Sequence, residues 1–335
     1  MIKSAAVAST IGIALCWSWV RHVQLPMGPS RLHWGGIVFG HRGCRNVPGI
    51  PENTLDAFKY AVSRGCGGIE CDVRLTKDNQ VVVFHDAFGG TLLKNFPPAK
   101  RIDELTLFEL KECCFAADPT EQIRIPTLEE SILFCRENNL RLLIEIKELK
   151  RSMLCTDKVI ELYRRYPDYM YDNTTIISFH PGALYHARQK DRNIATGQIY
   201  SVNMFRTWVS HNVDTISFFP RTFPGIADRL LFFAQEKISP WVGGCSLICP
   251  RYDLYSETYR RRWHSRRVGI YLWGFADSTA CTPDMRQPGV CVSADDHHEQ
   301  FATAKREPDY DIFGDRQRER EREEEARRKR PQLKQ

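Results

Sequence analysis

Cysteine is sparse in this chain, twelve among 335 residues, and none sits in a C-x-x-C pair. That excludes a disulfide scaffold and a zinc site built from paired thiolates, and leaves Cys113-Cys114 and Cys245…Cys249 as core or loop cysteines. An excess of one charge is also lacking. The 47 Lys and Arg residues against 41 Asp and Glu leave a net +6 with no obviously basic face, so nucleic acid is not suggested as a partner. The apolar stretch Ala5–Val20 falls short of the roughly 20 residues that span a bilayer comfortably. It has no small-x-small cleavage site after it, and Trp17 and Trp19 suit a membrane interface. The expectation is a single-pass membrane anchor within residues 1–24, with the rest of the chain lumenal or extracellular; a cleaved signal peptide is the alternative. A lone N-x-[ST] sequon, Asn173-Thr174-Thr175, would make a lumenal chain a glycoprotein.

What is present is the material of one large α/β domain. From residue 37 short apolar runs alternate with helical stretches, which predicts parallel strands joined by helices. The strands fall at 37–43, 67–75, 141–147, 174–179, 194–200, 245–249, 268–275 and 289–294, and eight is the count of a closed (β/α)8 TIM barrel. In the first helix Asn53 or Thr54 is the cap, Leu55, Phe58 and Val62 line one face, and Gly65 is the stop. Residues 303–335 hold few apolar side chains and form a charged tail, disordered or a solvated helix.

The residues with chemistry cluster early: Gly40-His41-Arg42-Gly43, Pro51-Glu52-Asn53-Thr54, Ile69-Glu70-Cys71-Asp72-Val73 and Val83-Phe84-His85-Asp86. Two imidazoles, a guanidinium and several carboxylates where strands end are an inventory for attack on a phosphodiester with a metal's help. Glu70 and Asp72, two apart on a strand, point the same way, about 6.6 Å apart at the backbone. Oxygen-only ligands favour Mg²⁺ or Ca²⁺ over zinc. An isolated E-x-D is more often two solvated acids, but Ile69, Cys71 and Val73 make this run a buried one, and buried carboxylates need a partner. Thr76–Gln80 is hairpin-length, so 80–85 returns antiparallel and brings His85 beside that strand's end. In Leu142–Lys147, alternation puts Leu142, Ile144 and Ile146 toward the helices and turns Glu145 and Lys147 into the barrel top, where a buried ion pair is the plainer alternative.

Taken together, H-R-G, P-E-N-T, E-x-D-V-x-x-T-x-D and V-V-x-H-D, in order within residues 41–86, resemble the glycerophosphodiester phosphodiesterase family. Ile125-Pro126-Thr127-Leu128 and Leu143-Ile144-Glu145-Ile146-Lys147 resemble its next two signatures. Tyr166–Tyr200 with the apolar N-terminus resembles the membrane-anchored animal branch, which acts on glycerophosphoinositol and glycerophospho-N-acylethanolamines. The resemblance implies a TIM-barrel catalytic domain over 35–302, with an inserted subdomain at 87–125 that would roof the site. It implies a metal-dependent hydrolase that releases sn-glycerol 3-phosphate. His41 and His85 would be the acid–base pair and Arg42 would steady charge on phosphorus. Glu70, Asp72 and Glu145 would hold a divalent cation, Mg²⁺ or else Ca²⁺; Lys147 would neutralise phosphate and Trp273 would line the glycerol pocket. The family's Thr-Val-Asn after that Trp reads Gly274-Phe275-Ala276 and its last Thr-Asp reads Ala294-Asp295. Asn203–Trp263, with Phe218, Phe219, Phe223, Phe232 and Phe233, matches nothing in the family; a buried helix plus loop is expected there, an aromatic membrane-facing lid being the alternative. His297-His298 are expected to be exposed. Competing functions are a lysophospholipase D, a phospholipase C on the same barrel, or a membrane-anchored binding protein without turnover.

Overall fold

The structure, a computed structural model, describes residues 18, 21–90, 92–202, 204, 223–275 and 280–295. Most of Ala5–Val20, together with Phe218, Phe219, Ala276, His297-His298 and the 303–335 tail, lies outside the described residues. Among the described residues no helix is long and apolar enough to cross a membrane.

Eight parallel strands close into a barrel: β1 (Val38–His41), β2 (Gly68–Leu75), β6 (Arg141–Ile146), β7 (Thr174–Ser178), β8 (Thr196–Tyr200), β9 (Leu247–Pro250), β10 (Gly269–Leu272) and β11 (Val290–Ala294). Closure comes from β1, which pairs with β11 on one side and β2 on the other. β3 (Val81–Val83) runs antiparallel on β2, as a five-residue connection requires. Between β3 and β6 the ladder of β4 (Leu93–Lys94) with β5 (Cys114–Phe115) builds a satellite around its own core, with Phe84, Phe96, Ile102, Leu110 and Ile125.

Alternation along the strands sorts the two cores. Leu142, Ile144 and Ile146 pack outward against the helices. Leu143 faces in, joining Trp34, Phe39, Ile177, Ile199, Leu247, Cys249, Tyr271 and Cys291 in the barrel interior. Trp34 plugs the end from which the strands start; Arg31, stacked 4.9 Å from that ring, donates to Thr175 Oγ1 and to the Tyr171 and Thr174 carbonyls. Thr175 is buried there, and the half-buried Asn173 of the sequon donates through Nδ2 to the Tyr169 carbonyl. All eleven described cysteines are buried and unpaired.

The interior fills only the lower barrel, so the inward positions nearest the strands' C-terminal ends are free to be polar. They are His41, Glu70, Asp72, Glu145 and Lys147, at the end of a TIM barrel where sites are found.

Candidate active site

Register does the first part of the work: His41 lies opposite Glu70 across the β1–β2 pairing, and Asp72 opposite Glu145 across β2–β6. The turn after β1 needs unusual backbone. Arg42 (φ 55°) and Gly43 (φ 77°) are both left-handed, and a Cβ on Gly40 would meet the Gly43 carbonyl oxygen at 2.2 Å. That turn points the Arg42 amide at Glu70 Oε2, 3.1 Å away, and lays the guanidinium between Asp72 (Nε to Oδ2, 3.2 Å) and Glu52 (2.6 Å). Thr54, not Asn53, caps the first helix, accepting from the Ala57 amide. Asn53, also left-handed, donates to Asp72 Oδ2 (2.9 Å) and accepts from the Asp72 amide, so it fixes the carboxylate.

Glu70, Asp72 and Glu145 are 2 %, 0 % and 6 % exposed, and each offers an oxygen within 4.8 Å of the others. Among the described residues Glu70 Oε1 has no hydrogen-bond partner, and neither Asp72 Oδ1 nor Glu145 Oε1 has one in good geometry; the latter two face the Lys147 ammonium at 3.4 and 2.8 Å. Three carboxylates therefore face two cations, Lys147 and Arg42. Burial, then Asp72 and Glu145, pushes the Glu70 carboxyl well above its usual range. Burial likewise raises Glu145, against the pull of Lys147. For Asp72 burial is outweighed by Lys147, Arg42 and His85, which hold it low. An oxygen-only cluster with more carboxylates than cations fits a hard divalent cation and fits zinc poorly.

The two imidazoles are held alike. His41 Nδ1 donates to Asp295 Oδ1 at 2.5 Å and His85 Nδ1 to Asp86 Oδ1 at 2.6 Å. A carboxylate on Nδ1 fixes the tautomer and leaves each Nε2 to take or give a proton; His41 Nε2 is 3.8 Å from Glu70 Oε2. His85 arrives on the return from β3, its carbonyl held by Arg74. Both histidines line a cavity of about 300 Å³ with Arg42, Glu70, Glu145 and Lys147. Its opposite wall is aromatic: Phe179 and Trp273 meet edge to face at 5.8 Å, and Trp273 is pinned by donating to the Cys249 carbonyl. Every residue predicted for the site is thus gathered at one end of the barrel. No residue of 87–125 lines the cavity, so the expected roof is absent from its described lining.

Four residues that contribute here were given no such role from sequence. Asp86 was recoverable, being adjacent to His85 in V-V-x-H-D. By sequence Asn53 is one of two candidate caps, with Thr54. Asp295 stands where the resemblance places the Asp of the last strand's Thr-Asp, but nothing local ties it to His41, 254 residues away, and Arg45, which lines the cavity 3.6 Å from Asp295, carried no local signal.

The model of the glycerophosphoryl diester phosphodiesterase family matches residues 41–221. Glycerophosphodiester phosphodiesterase 1 of Bos taurus is 29% identical over 248 residues, 70% of either chain. The Homo sapiens protein of the same name is 27% identical over the same share. Among solved structures, an Oleispira antarctica phosphodiesterase in complex with the product sn-glycerol-3-phosphate superposes with a TM-score of 0.61 at 18% identity, covering 82% of this chain and 98% of that one. A glycerophosphodiester phosphodiesterase from Thermotoga maritima gives 0.54 at 23%, covering 80% and 98%. At these identities the solved structures speak for the shared barrel alone.

Proposed function

Because the chain belongs to the glycerophosphoryl diester phosphodiesterase family, we propose that it hydrolyses glycerophosphodiesters to sn-glycerol 3-phosphate and an alcohol, inositol or an N-acylethanolamine among them. The observation that carries this reading is the convergence of three buried carboxylates within 4.8 Å of one another, two of which, Glu70 and Glu145, line one small cavity together with two carboxylate-anchored histidines. A volume near 300 Å³ is at the low end for small-molecule sites and suits a glycerol phosphate better than a whole lipid.

In the proposed mechanism Arg42 and Lys147 draw the phosphate in and stabilise charge as it builds on the equatorial oxygens. One histidine Nε2 accepts the proton of the glycerol 2-hydroxyl as that oxygen attacks phosphorus, forming a five-membered cyclic phosphate. The other gives its proton to the departing alcohol oxygen; with the roles reversed, the pair then activates water to open the ring. Asp295 and Asp86 keep both rings aimed through these transfers. Glu70, Asp72 and Glu145 would hold a divalent cation, Mg²⁺ in the first instance, whose contribution when bound is Lewis-acid polarisation of phosphate oxygen. Trp273 and Phe179 offer the glycerol carbons an apolar wall. A membrane anchor in Ala5–Val20 remains part of the proposal.

The test is turnover by the purified full-length chain of a panel of water-soluble glycerophosphodiesters and lysolipids, each with Mg²⁺ and with Ca²⁺. Release of sn-glycerol 3-phosphate is expected. Lysophosphatidic acid or an inositol phosphate as the sole phosphorylated product, or no product at all, would overturn the reading.

A further inference from the structure

The helix Phe223–Phe233 carries a stripe of large apolar side chains that stay more than half exposed: Ile226, Leu230 and Phe233 are 56, 65 and 54 % exposed. Spaced i, i+4, i+7, they share one face. Continuing down the same rod through a π-turn at Ala234–Ile238, Ile238 is also exposed. The π-turn has a local cause, since Pro240 has no amide to give the preceding turn and its ring would crowd the carbonyl of Glu236.

The stripe stands at the mouth of the barrel. Gln235 donates to the carbonyl of Phe179, just past the C-terminal end of β7, and Phe232 packs on Tyr200, the last residue of β8. Since the rod then descends to Gly244, which accepts from the Gly28 amide near the closed end, residues 223–233 lie on the mouth side of the rim. Its exposed charges are both positive, Arg229 and Lys237, the latter paired at 2.7 Å with Glu236, which Arg262 also holds at 2.8 Å; the acids of this span, Asp228 and Glu236, are buried. The N-terminal segment climbs the same flank. Pro26 is bound by Arg188, and Val23 by Tyr185 one helical turn nearer the mouth, so from Gly28 back to Val23 the chain heads toward the end where the stripe lies. In sequence Val23 is preceded by Arg21-His22 and, before them, the apolar Ala5–Val20.

An amphipathic helix with an aliphatic and aromatic face bordered by cations fits a lipid headgroup layer, and the described chain from Gly28 back to Val23 runs toward the same rim. We propose that the Ile226–Leu230–Phe233 face rests on a lipid bilayer surface containing anionic lipid, presenting the mouth of the barrel to substrates that partition from the membrane. The surface goes beyond the phosphodiesterase reading, and its first test needs no turnover.

For that test the full-length chain is reconstituted in vesicles of phosphatidylcholine and phosphatidylglycerol. Leu230→Cys carries a thiol-linked fluorophore, with Lys59→Cys, 63 % exposed on the first helix, as the control. The label at 230 is expected to be quenched by bromine on the lipid chains and to be at least threefold less sensitive to aqueous iodide than the control. Iodide sensitivity equal to the control overturns the proposal, as does shielding from both quenchers, which would mean that protein, such as a second copy, covers the face. In a second arm the variant I226S/L230S/F233S should turn over a long-chain diester embedded in vesicles at least fivefold more slowly and water-soluble glycerophosphoinositol at the unaltered rate. Equal effects on the two substrates would overturn it. An inactive wild-type chain would instead count against the phosphodiesterase reading and leave the quenching result standing.

Discussion

Glu70→Gln isolates the electrostatics of the site. Glutamine keeps the shape, and its amide oxygen can still accept from the Arg42 amide where Glu70 Oε2 now does, at 3.1 Å. One negative charge is lost. Two unit charges 4.8 Å apart, the spread of the three carboxylate oxygens, repel by about 3.5 kcal/mol at an effective dielectric near 20. With three carboxylates against two cations, one repulsion of that order is uncompensated. It is a ceiling, because Glu70 can take up a proton instead. In EDTA the variant should melt above the wild type, by roughly 2–10 °C at a few degrees per kcal/mol. The pH dependence follows from the raised Glu70 carboxyl. The folded chain keeps this proton where the unfolded chain has lost it, so cation-free stability falls as pH rises above the ordinary glutamate value of about 4.3. Asp72, held low, works the other way: its contribution is present above the ordinary aspartate value and lost only on acidification. The Glu70-linked decline should vanish in the variant. Added Mg²⁺ at about 100 times its dissociation constant should stabilise the wild type by about 2.7 kcal/mol and the variant far less. Thermal denaturation from pH 5 to 8, with and without cation, decides it. A variant that melts below the wild type in EDTA with the same pH slope, or gains equally from Mg²⁺, would refute the reasoning.

His41→Ala and His85→Ala should each lower sn-glycerol 3-phosphate release by about 10²–10⁴-fold, with circular dichroism unchanged; wild-type rates in either would remove that histidine from the mechanism. Asp295→Asn should cut kcat by about 10- to 100-fold through loss of the hold on His41, with KM little altered, and a pure KM effect would contradict a positioning role. Thr54→Ala, which removes a helix cap, should cost about 1 kcal/mol, read as a drop of a few degrees in Tm; no change would mean that the cap is replaced by solvent. Leu143→Ala, in the barrel interior beneath the carboxylates, should cost about 2–5 kcal/mol, measured by urea denaturation.

Much of the barrel could be read in advance, because period-2 alternation is a local property: the outward Leu142, Ile144 and Ile146 and the inward Glu145 and Lys147 followed from their order alone. The short Thr76–Gln80 turn likewise dictated that β3 return antiparallel and deliver His85. Elsewhere local reading failed for definable reasons. Asn53 looks like a cap because caps and left-handed side-chain anchors favour the same short polar residues. Within 203–263, where a buried helix plus loop is expected, the helix packs Phe232 on Tyr200 but leaves Ile226, Leu230 and Phe233 more than half exposed, because helical spacing cannot say which apolar stripe finds a neighbour. What the sequence by itself determined is the chemical inventory, the strand order and the face on which each inward residue lies, since these depend on residue type and spacing. Only the tertiary structure decided that Asp295 meets His41, that 87–125 stays clear of the cavity lining and that an apolar ridge flanks the mouth. Those depend on the closure of β11 against β1 and on where connecting segments come to rest, distances in space that no spacing along the chain encodes.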